Sequence, residues 1–424
     1  MDLADPLPDQ NTVREFREAH QKAQAFAAFF EIFSAHLDPM KALIIGGGIG
    51  GVSTAIALGR VGIEAVVFEQ AGELREIGAG LSVWTNAVKA LRKLGAGDSV
   101  LAGGSIIERF EARNWRGEVL GETPFGELGR KLGAPNVIIH RAELLRGLAK
   151  LIDERSVYCN ARCVGFEQNS RGATACFADG QKEAGDFLIG ADGLHSVIRA
   201  KLLGESKPRY AGYTCWRGLA QFTHPELPDG YSFESWGPGR RFAIHHCGEG
   251  HVFWYATKNL PEGAPVSEAG HQAEVLASFK EWHTPIPDVI KATESSAILR
   301  NDIVDRKPVK RWSHGWITLL GDAAHPTTPN LGQGACQAIE DAVVLAACLR
   351  TASDVPAALR SYQVQRLART TDITNQSWLI GKTCQWENPL ACWFRNNLGR
   401  TTLAQRSGLR MIEKLFSHDL PDLE

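Results

Sequence analysis

The sequence predicts an α/β fold in which a parallel-sheet domain is interrupted by an antiparallel β-sheet domain and followed by a helical C-terminal segment. Three observations carry this. A buried strand, a glycine turn, a helix and a second strand follow one another over residues 41–70. Aromatic-rich, alternating segments fill residues 206–300. Gly-rich strand-to-helix geometry then returns at "GDAAHPTTPNLGQGACQAIEDA", residues 321–342, so the first domain is discontinuous. The expected boundaries are an N-terminal helical extension over 1–39, the first domain over 40–205 and 301–349, the sheet domain over 206–300, and C-terminal helices over 350–424.

Within residues 1–39, "TVREFREAHQKAQAFAAFFEIFSAHL" has helical periodicity, clusters Phe26, Phe29, Phe30 and Phe33, and stops at Asp38-Pro39 just before Met40. It reads either as a helix packing on the body or as non-native sequence from an upstream start codon. Neither reading gives it chemistry.

The segment "KALIIGGGIGGVSTAIALGRVGIEAVVFEQ" (41–70) is the most informative. "ALII" is a short buried strand, "VSTAIALGRVG" a helix, and "EAVVFE" a second strand ending in an acid. Gly46, Gly48 and Gly51 satisfy G-x-G-x-x-G. The first turns tightly, the second lets a pyrophosphate approach, and the third packs helix on strand. Free N–H groups and the dipole of the helix then hold the phosphates. Glu69 stands where a ribose hydroxyl would be accepted, and its charge repels a 2′-phosphate. The unit is therefore Rossmann-like, for FAD or NAD rather than NADP.

Downstream, 72–95 reads as loop then helix with Asn86 as cap, and 134–152 as strand then helix with His140-Arg141 at the junction. Short alternating strands follow over 156–190, and "DFLIGADGLHSVIRAKL" (186–202) repeats the strand-turn-helix theme with Ser196 as a cap. "RYAGYTCWRGLAQF", "YSFESWG", "RRFAIHHCG" and "HVFWYAT" are the strands of the second domain. No second G-x-G-x-x-G precedes a helix and a strand-end acid, so one dinucleotide is bound by the fingerprint. The later motifs must then serve its other end.

Composition bounds the rest. The 424 residues suffice for two domains plus a tail. A formal net charge of −2 offers no electrostatic case for nucleic acid. Nine cysteines without a Cys-x-x-Cys pair suit a reducing cytoplasm, and no apolar stretch approaches the length of a membrane span. The start "MDLADPLPDQ" lacks the basic and apolar regions of a signal peptide.

The glycine fingerprint, "GADGLHSVIR" and "GDAAHPTTPNLGQG", in this order, resemble the FAD-dependent aromatic hydroxylases of the p-hydroxybenzoate hydroxylase type. The similarity runs from about Met40 to about Arg369. Through "IGAGLSVWTNAV", "RYAGYTCW" and "TTPNLGQGACQAIEDAVVL" the chain is most similar, within that family, to the FAD-dependent urate hydroxylases and zeaxanthin-epoxidase-like monooxygenases. The resemblance places Gly46, Gly48, Gly50, Gly51, Glu69 and Gln70 on the ADP half of FAD. It places Ser82 and Arg141 between pyrophosphate and flavin, and Val164 at the adenine through its backbone. Asp192-Gly193 matches a motif that touches the FAD pyrophosphate and serves NAD(P)H binding. Asp322 matches an acid that accepts a ribityl hydroxyl, and Gly332, Gln333, Gly334, Ala335 and Cys336 match the loop over the flavin pyrimidine.

Physics supports those last two assignments. A short acid at a strand end can accept a sugar-like hydroxyl, and glycines let backbone N–H groups reach the flavin carbonyl without a Cβ in the way. The following helix aims its positive end at atoms that become anionic on reduction.

The implied reaction is monooxygenation of a small aromatic or heteroaromatic ring, hydroxybenzoate-like or urate-like. NADH or NADPH reduces the flavin, O2 adds at C4a, and the hydroperoxide delivers one oxygen. Arg241 matches an arginine that binds anionic substrate in the urate enzymes, and a guanidinium suits a planar oxyanion. Where those enzymes place a tyrosine, Phe253 stands here, which weakens urate specifically. Tyr213, Trp216 and Trp236 are candidates for an aromatic wall, although most aromatics in such a sheet are core. Alternatives are oxidation of a lipid-like quinone or terpenoid, or a flavin-bound redox sensor without turnover. His245, His246 and His251 do not make a metal site, since neighbours on a strand face opposite sides. "WENPLACWF" (386–394) reads by default as a helix face packed on the body, with a dimer or membrane contact as the other readings.

Overall fold

Strand Lys41–Ile45 lies inside a six-stranded sheet because both its faces are apolar: Ala42, Leu43 and Ile44 have no exposed surface. In the computed structural model, which describes residues 39–74 and 80–423, Glu64–Phe68 pairs parallel with it on one side and Phe187–Gly190 on the other. Residues 1–38 of the expected N-terminal extension lie outside the described residues, as do 75–79. Ile317–Leu319 pairs parallel with Phe187–Gly190, while Val157–Tyr158 edges the sheet beyond Glu64–Phe68. Ser313–His314 closes the other edge, antiparallel. Apolar runs of this kind are what a parallel sheet covered on both faces needs.

This order has one consequence for function. Three neighbouring strands end at the same side of the sheet, after Ile45, Gly190 and Leu319. Gly46, Asp192 and Asp322 therefore follow adjacent strand tips, the edge at which open α/β sheets form their crevice. Helix Ile49–Arg60 starts from the first of these turns and packs against helix Gly334–Thr351. Gly50 permits the approach, since a Cβ there would lie 3.2 Å from that of Ala338.

The second sheet has seven strands, in the order Leu299–Asp305, Arg209–Gln221, His251–Asn259, Arg240–His246, Tyr231–Gly237, Arg109–Asn114 and Val119–Thr123. It is wider than the 206–300 segment from which it was expected. The hairpin of 109–123 joins one edge through a parallel pairing with Tyr231–Gly237, and the other pairings are antiparallel. That hairpin turns on Asn114, whose side chain accepts the N–H groups of Arg116 and Glu118, and on Gly117 at φ 91°. Two helices the sequence reading did not include, Gly270–Phe279 and Ile286–Ala292, cover one face of this sheet. Trp216, Phe242 and Trp254 pack there against Val275, Phe279, Ile286 and Val289. Alternation sends Cys215, Arg217, Arg241, Phe253, Tyr255 and Thr257 to the opposite face, in one register: Cys215 opposes Thr257, Thr257 opposes Arg241, and Arg217 opposes Tyr255.

Two local expectations change. Asn86 does not cap its helix, which starts at Thr85 after Trp84; its amide instead donates to Glu340 at 2.6 Å. The aromatic helix Pro389–Gly399 does not pack its apolar face on the body: Leu390 is 78% exposed, Trp393 65% and Phe394 57%. The helix turns Cys392 and Arg395 inward, because the Arg395 guanidinium donates to the Cys384 carbonyl at 2.9 Å. Ser196 does cap its helix, accepting the Arg199 N–H at 2.8 Å.

Candidate active site

The strand tips of the parallel sheet and the uncovered face of the second sheet enclose one cavity of about 680 Å³. Its first end is the glycine turn. Gly46 lies at φ 111°, and a Cβ there would come 2.4 Å from the Ala191 carbonyl oxygen. A Cβ on Gly51 would fall 1.9 Å from the Gly46 carbonyl oxygen, so the helix approaches the end of the strand only because Gly51 lacks a side chain. Gly48, Ile49 and Gly50 line the cavity at the start of an α-helix, presenting its free N–H end. Glu69 accepts the N–H groups of Gly47 at 2.7 Å and Ala71 at 2.8 Å, which fixes its carboxylate at the rim of this turn beside Gln70.

Midway, Asp192 and Gly193 line the wall from the second strand tip. Asp192 accepts from Ser196 Oγ at 2.5 Å and from the Val197 N–H at 2.8 Å. Burial pushes its carboxyl upward, against those hydrogen bonds. Ser82 and Arg141 face the cavity from a small three-stranded sheet and the helix beside it.

Asp322 follows the third strand tip, and Gly332, Gly334 and Ala335 line the cavity at the start of helix Gly334–Thr351. Gly332 adopts φ 60°, and a Cβ there would lie 2.7 Å from Trp84 Nε1. A buried polar cluster supports this loop from below. Gln333 has no exposed surface, and its amide oxygen accepts from Asn86 at 3.1 Å and Gln337 at 2.7 Å. Glu340 accepts from Asn86 and Arg366, each at 2.6 Å, and from Arg369 at 2.8 Å. Burial alone would raise the Glu340 carboxyl, but Arg366 and Arg369 hold it down at about 2.

The far end is the second sheet. Arg241 and Phe253 line it with Cys215, Tyr255, Thr257 and Ile303. Arg241 is 3% exposed; burial works against its charge, and Glu234 together with Tyr213, Cys384 and Tyr255 more than offsets that. Burial and the neighbouring Glu234 push the Tyr255 phenol well above its usual range.

Four residues expected at the site do not line the cavity with the rest: Gly51, Val164, Gln333 and Cys336. Gly51 and Gln333 act behind the wall, as described. Cys336 is buried, with its thiol on the carbonyls of Ser82 and Gly332 and pushed up to about 12 by burial, so it is no nucleophile. Val164 is half exposed, while Ala161, Arg162 and Cys163 just before it face the cavity. Sequence reasoning also missed Asn330, Tyr255 and Thr257. The "TPN" turn was a signal for the first, and the strand alternation around Phe253 for the others. Of the aromatic-wall candidates, Tyr213 donates to Asn330 at 3.1 Å, whereas Trp216 belongs to the core on the opposite face. Among the described residues no cluster of His, Cys, Asp or Glu could hold a metal ion.

The donors and the cradle fit a flavin dinucleotide: a side-chain-free turn at one helix N-terminus, an acid beyond it, and a second glycine loop at another helix N-terminus lining the same cavity. A model of the FAD binding domain family matches residues 39–220 and 265–377. The chain belongs to this FAD-binding family. Similar proteins include an aurachin C monooxygenase/isomerase of Stigmatella aurantiaca, 45% identical over 87% of this chain and 96% of its own. An FAD-dependent urate hydroxylase of Klebsiella pneumoniae is 37% identical over 79% of this chain and 88% of its own. The solved structure of Klebsiella pneumoniae HpxO complexed with FAD and uric acid superposes with a TM-score of 0.84, at 33% identity, covering 89% of this chain and 96% of that one. The protein is accordingly a flavoprotein monooxygenase, an oxidoreductase that acts with FAD on a small molecule. Among the described residues, no helix of this flavoprotein is long and apolar enough to cross a membrane.

Proposed function

We propose that this flavoprotein uses NADH or NADPH and O2 to hydroxylate a small aromatic or heteroaromatic ring. The observation that carries the reading is the continuity of one cavity from Gly46, past Asp192 and Asp322, to Arg241 and Phe253. FAD, when bound, supplies the redox and oxygen-activating chemistry. The chain's own residues bind, orient and exclude water. The turn at Gly46, Gly48, Gly50 and Gly51 and the N-terminus of helix Ile49–Arg60 hold the diphosphate. Glu69 and Gln70 hold the adenosine ribose, and the backbone near Val164 the adenine, with Arg162 and Cys163 beside it. Ser82 and Arg141 hold the middle of the cofactor, and Asp192-Gly193 serves both the diphosphate and NAD(P)H. Asp322 accepts a ribityl hydroxyl.

Gly332, Gln333, Gly334, Ala335 and Cys336 form the loop at the pyrimidine, where the N-terminus of helix Gly334–Thr351 favours negative charge. The substrate lies between this loop and the face carrying Arg241 and Phe253. Phe253, 6% exposed, offers a ring but no hydroxyl, which favours a less polar substrate than urate. All nine cysteines are free thiols, which supports a reducing, cytoplasmic setting. A homodimer through the exposed helix Pro389–Gly399 is the assembly to test.

The test is a panel of aromatic acids, purines and quinolones, scored for acceleration of NADH or NADPH consumption and for oxygen incorporation by mass. Protein that carries flavin but shows no acceleration with any compound, under either nucleotide, contradicts the reading and favours the redox-sensor alternative.

A further inference from the structure

Two arginines face the cavity from the second sheet, and their surroundings differ. Arg241 has every guanidinium nitrogen in use. Nε donates to Gln385 Oε1 at 3.0 Å, one Nη to Glu234 Oε1 at 3.1 Å, and the other to Asn330 Oδ1 at 2.7 Å. Those acceptors are themselves held. Thr257 donates to the same Gln385 oxygen at 3.0 Å, and Tyr213 to the same Asn330 oxygen at 3.1 Å. The Asn330 amide in turn donates to Thr328 and Ser377, each at 2.9 Å. The Glu234 side chain is only 11% exposed, so the ion pair is buried and already neutral. Arg217 is half-buried: one Nη donates to Asn301 at 2.6 Å on the edge strand, and its Nε is buried without a hydrogen-bond partner among the described residues. The rest of the wall here is uncharged: Cys215, Phe253, Tyr255, Thr257 and Ile303.

A substrate carboxylate set against Arg241 would therefore share a buried site with Glu234. Two like charges placed against the one guanidinium of Arg241 cost more than a single pair. We infer that the part of the site facing Arg241 takes an uncharged planar ring bearing amide or phenol groups rather than a ring carboxylate, with Glu234 setting that specificity by occupying Arg241. This rests on the hydroxylase reading above and narrows its substrate class. It departs from the anion-anchoring role that the resemblance assigned to Arg241.

The test uses flavin-loaded protein at neutral pH and two ring-matched pairs: hydroxybenzamide against hydroxybenzoate, and hydroxyquinoline against its ring carboxylate. Dissociation constants are read from the visible absorbance of the bound flavin. The neutral member should bind at least about tenfold more tightly in each pair, and Glu234→Gln should tighten the carboxylates about tenfold while moving the neutral members less than about threefold. A carboxylate that binds wild-type protein as tightly as its neutral partner overturns the inference. So does the absence of any response to both neutral compounds, or a Glu234→Gln protein with unchanged preference. Should that variant not fold, the wild-type pairs decide alone. Failure of the hydroxylase reading shows separately, as binding without accelerated NAD(P)H consumption.

Discussion

His325 donates through Nε2 to Oδ2 of Asp341 at 2.6 Å, and the same oxygen accepts the Gly321 N–H at 3.0 Å. Arg366 takes the other carboxylate oxygen, also at 2.6 Å, and all three side chains are buried. One acid on helix Gly334–Thr351 thus ties down the turn on both sides of Asp322. The pairing suits a structural role for His325 rather than acid–base work.

Asp341→Ala leaves Arg366 with Glu340 as its remaining acid partner and releases the turn. Removing one member of a buried charged cluster costs about 3–5 kcal/mol. The expected outcome is a lower urea midpoint together with flavin lost on gel filtration; an unchanged midpoint would remove the argument.

The same cluster sets the acid limit of the fold. Burial works against Glu340, but its arginine partners lower it from 4.5 to about 2, and Asp341 is also held below the usual range by His325 and Arg366. A carboxyl depressed in the folded state contributes stability that is present above its unfolded value and lost as pH falls through its folded one. Stability should therefore decline between about pH 4.5 and pH 2. Glu340→Gln should flatten that decline in acid denaturation followed by circular dichroism, at the cost of lower stability at pH 7. A decline of the same slope in the variant would show that other groups govern it.

Gly46→Ala combines φ 111° with a Cβ 2.4 Å from the Ala191 carbonyl. Positive φ on a residue with a Cβ costs of order 1–3 kcal/mol, and the backbone must move to relieve the contact. The variant should melt lower and purify colourless. A fully yellow preparation would mean that the diphosphate lies elsewhere.

Asp322→Ala removes the acid at the third strand tip, which is exposed and outside the buried cluster. Losing one charge-assisted hydrogen bond to a ligand is worth roughly 1.5–3 kcal/mol, so flavin affinity should fall about 10- to 100-fold. Unchanged flavin retention would refute the placement.

The parallel strands, their glycine turns and the antiparallel strands after residue 206 were legible because each is specified locally. "KALII" and "DFLIG" are apolar runs bounded by turn residues, and Gly46, Gly193 and Gly332 sit at positive φ where only backbone sterics matter. The hairpin at 109–123 was not, because its charged strand Arg109–Asn114 becomes half-buried only through pairing with Tyr231–Gly237, more than a hundred residues on. Helix Pro389–Gly399 misled for a related reason. Its aromatic residues are apolar enough for a core, yet Arg395 takes the inward face because the carbonyls of Thr383 and Cys384, at the end of the preceding helix, need a donor.

Chain order and local pattern alone settled that a dinucleotide turn comes early and a second glycine loop late, since tight turns and strand tips follow from a few adjacent residues. That these two loops border one cavity depended on the neighbouring positions of Lys41–Ile45, Phe187–Gly190 and Ile317–Leu319 in the sheet. The charge of the substrate end depended on tertiary structure entirely. Arg241, Glu234, Asn330 and Gln385 come from three separate stretches of chain, and whether a guanidinium is free or spent is a property of distances across them.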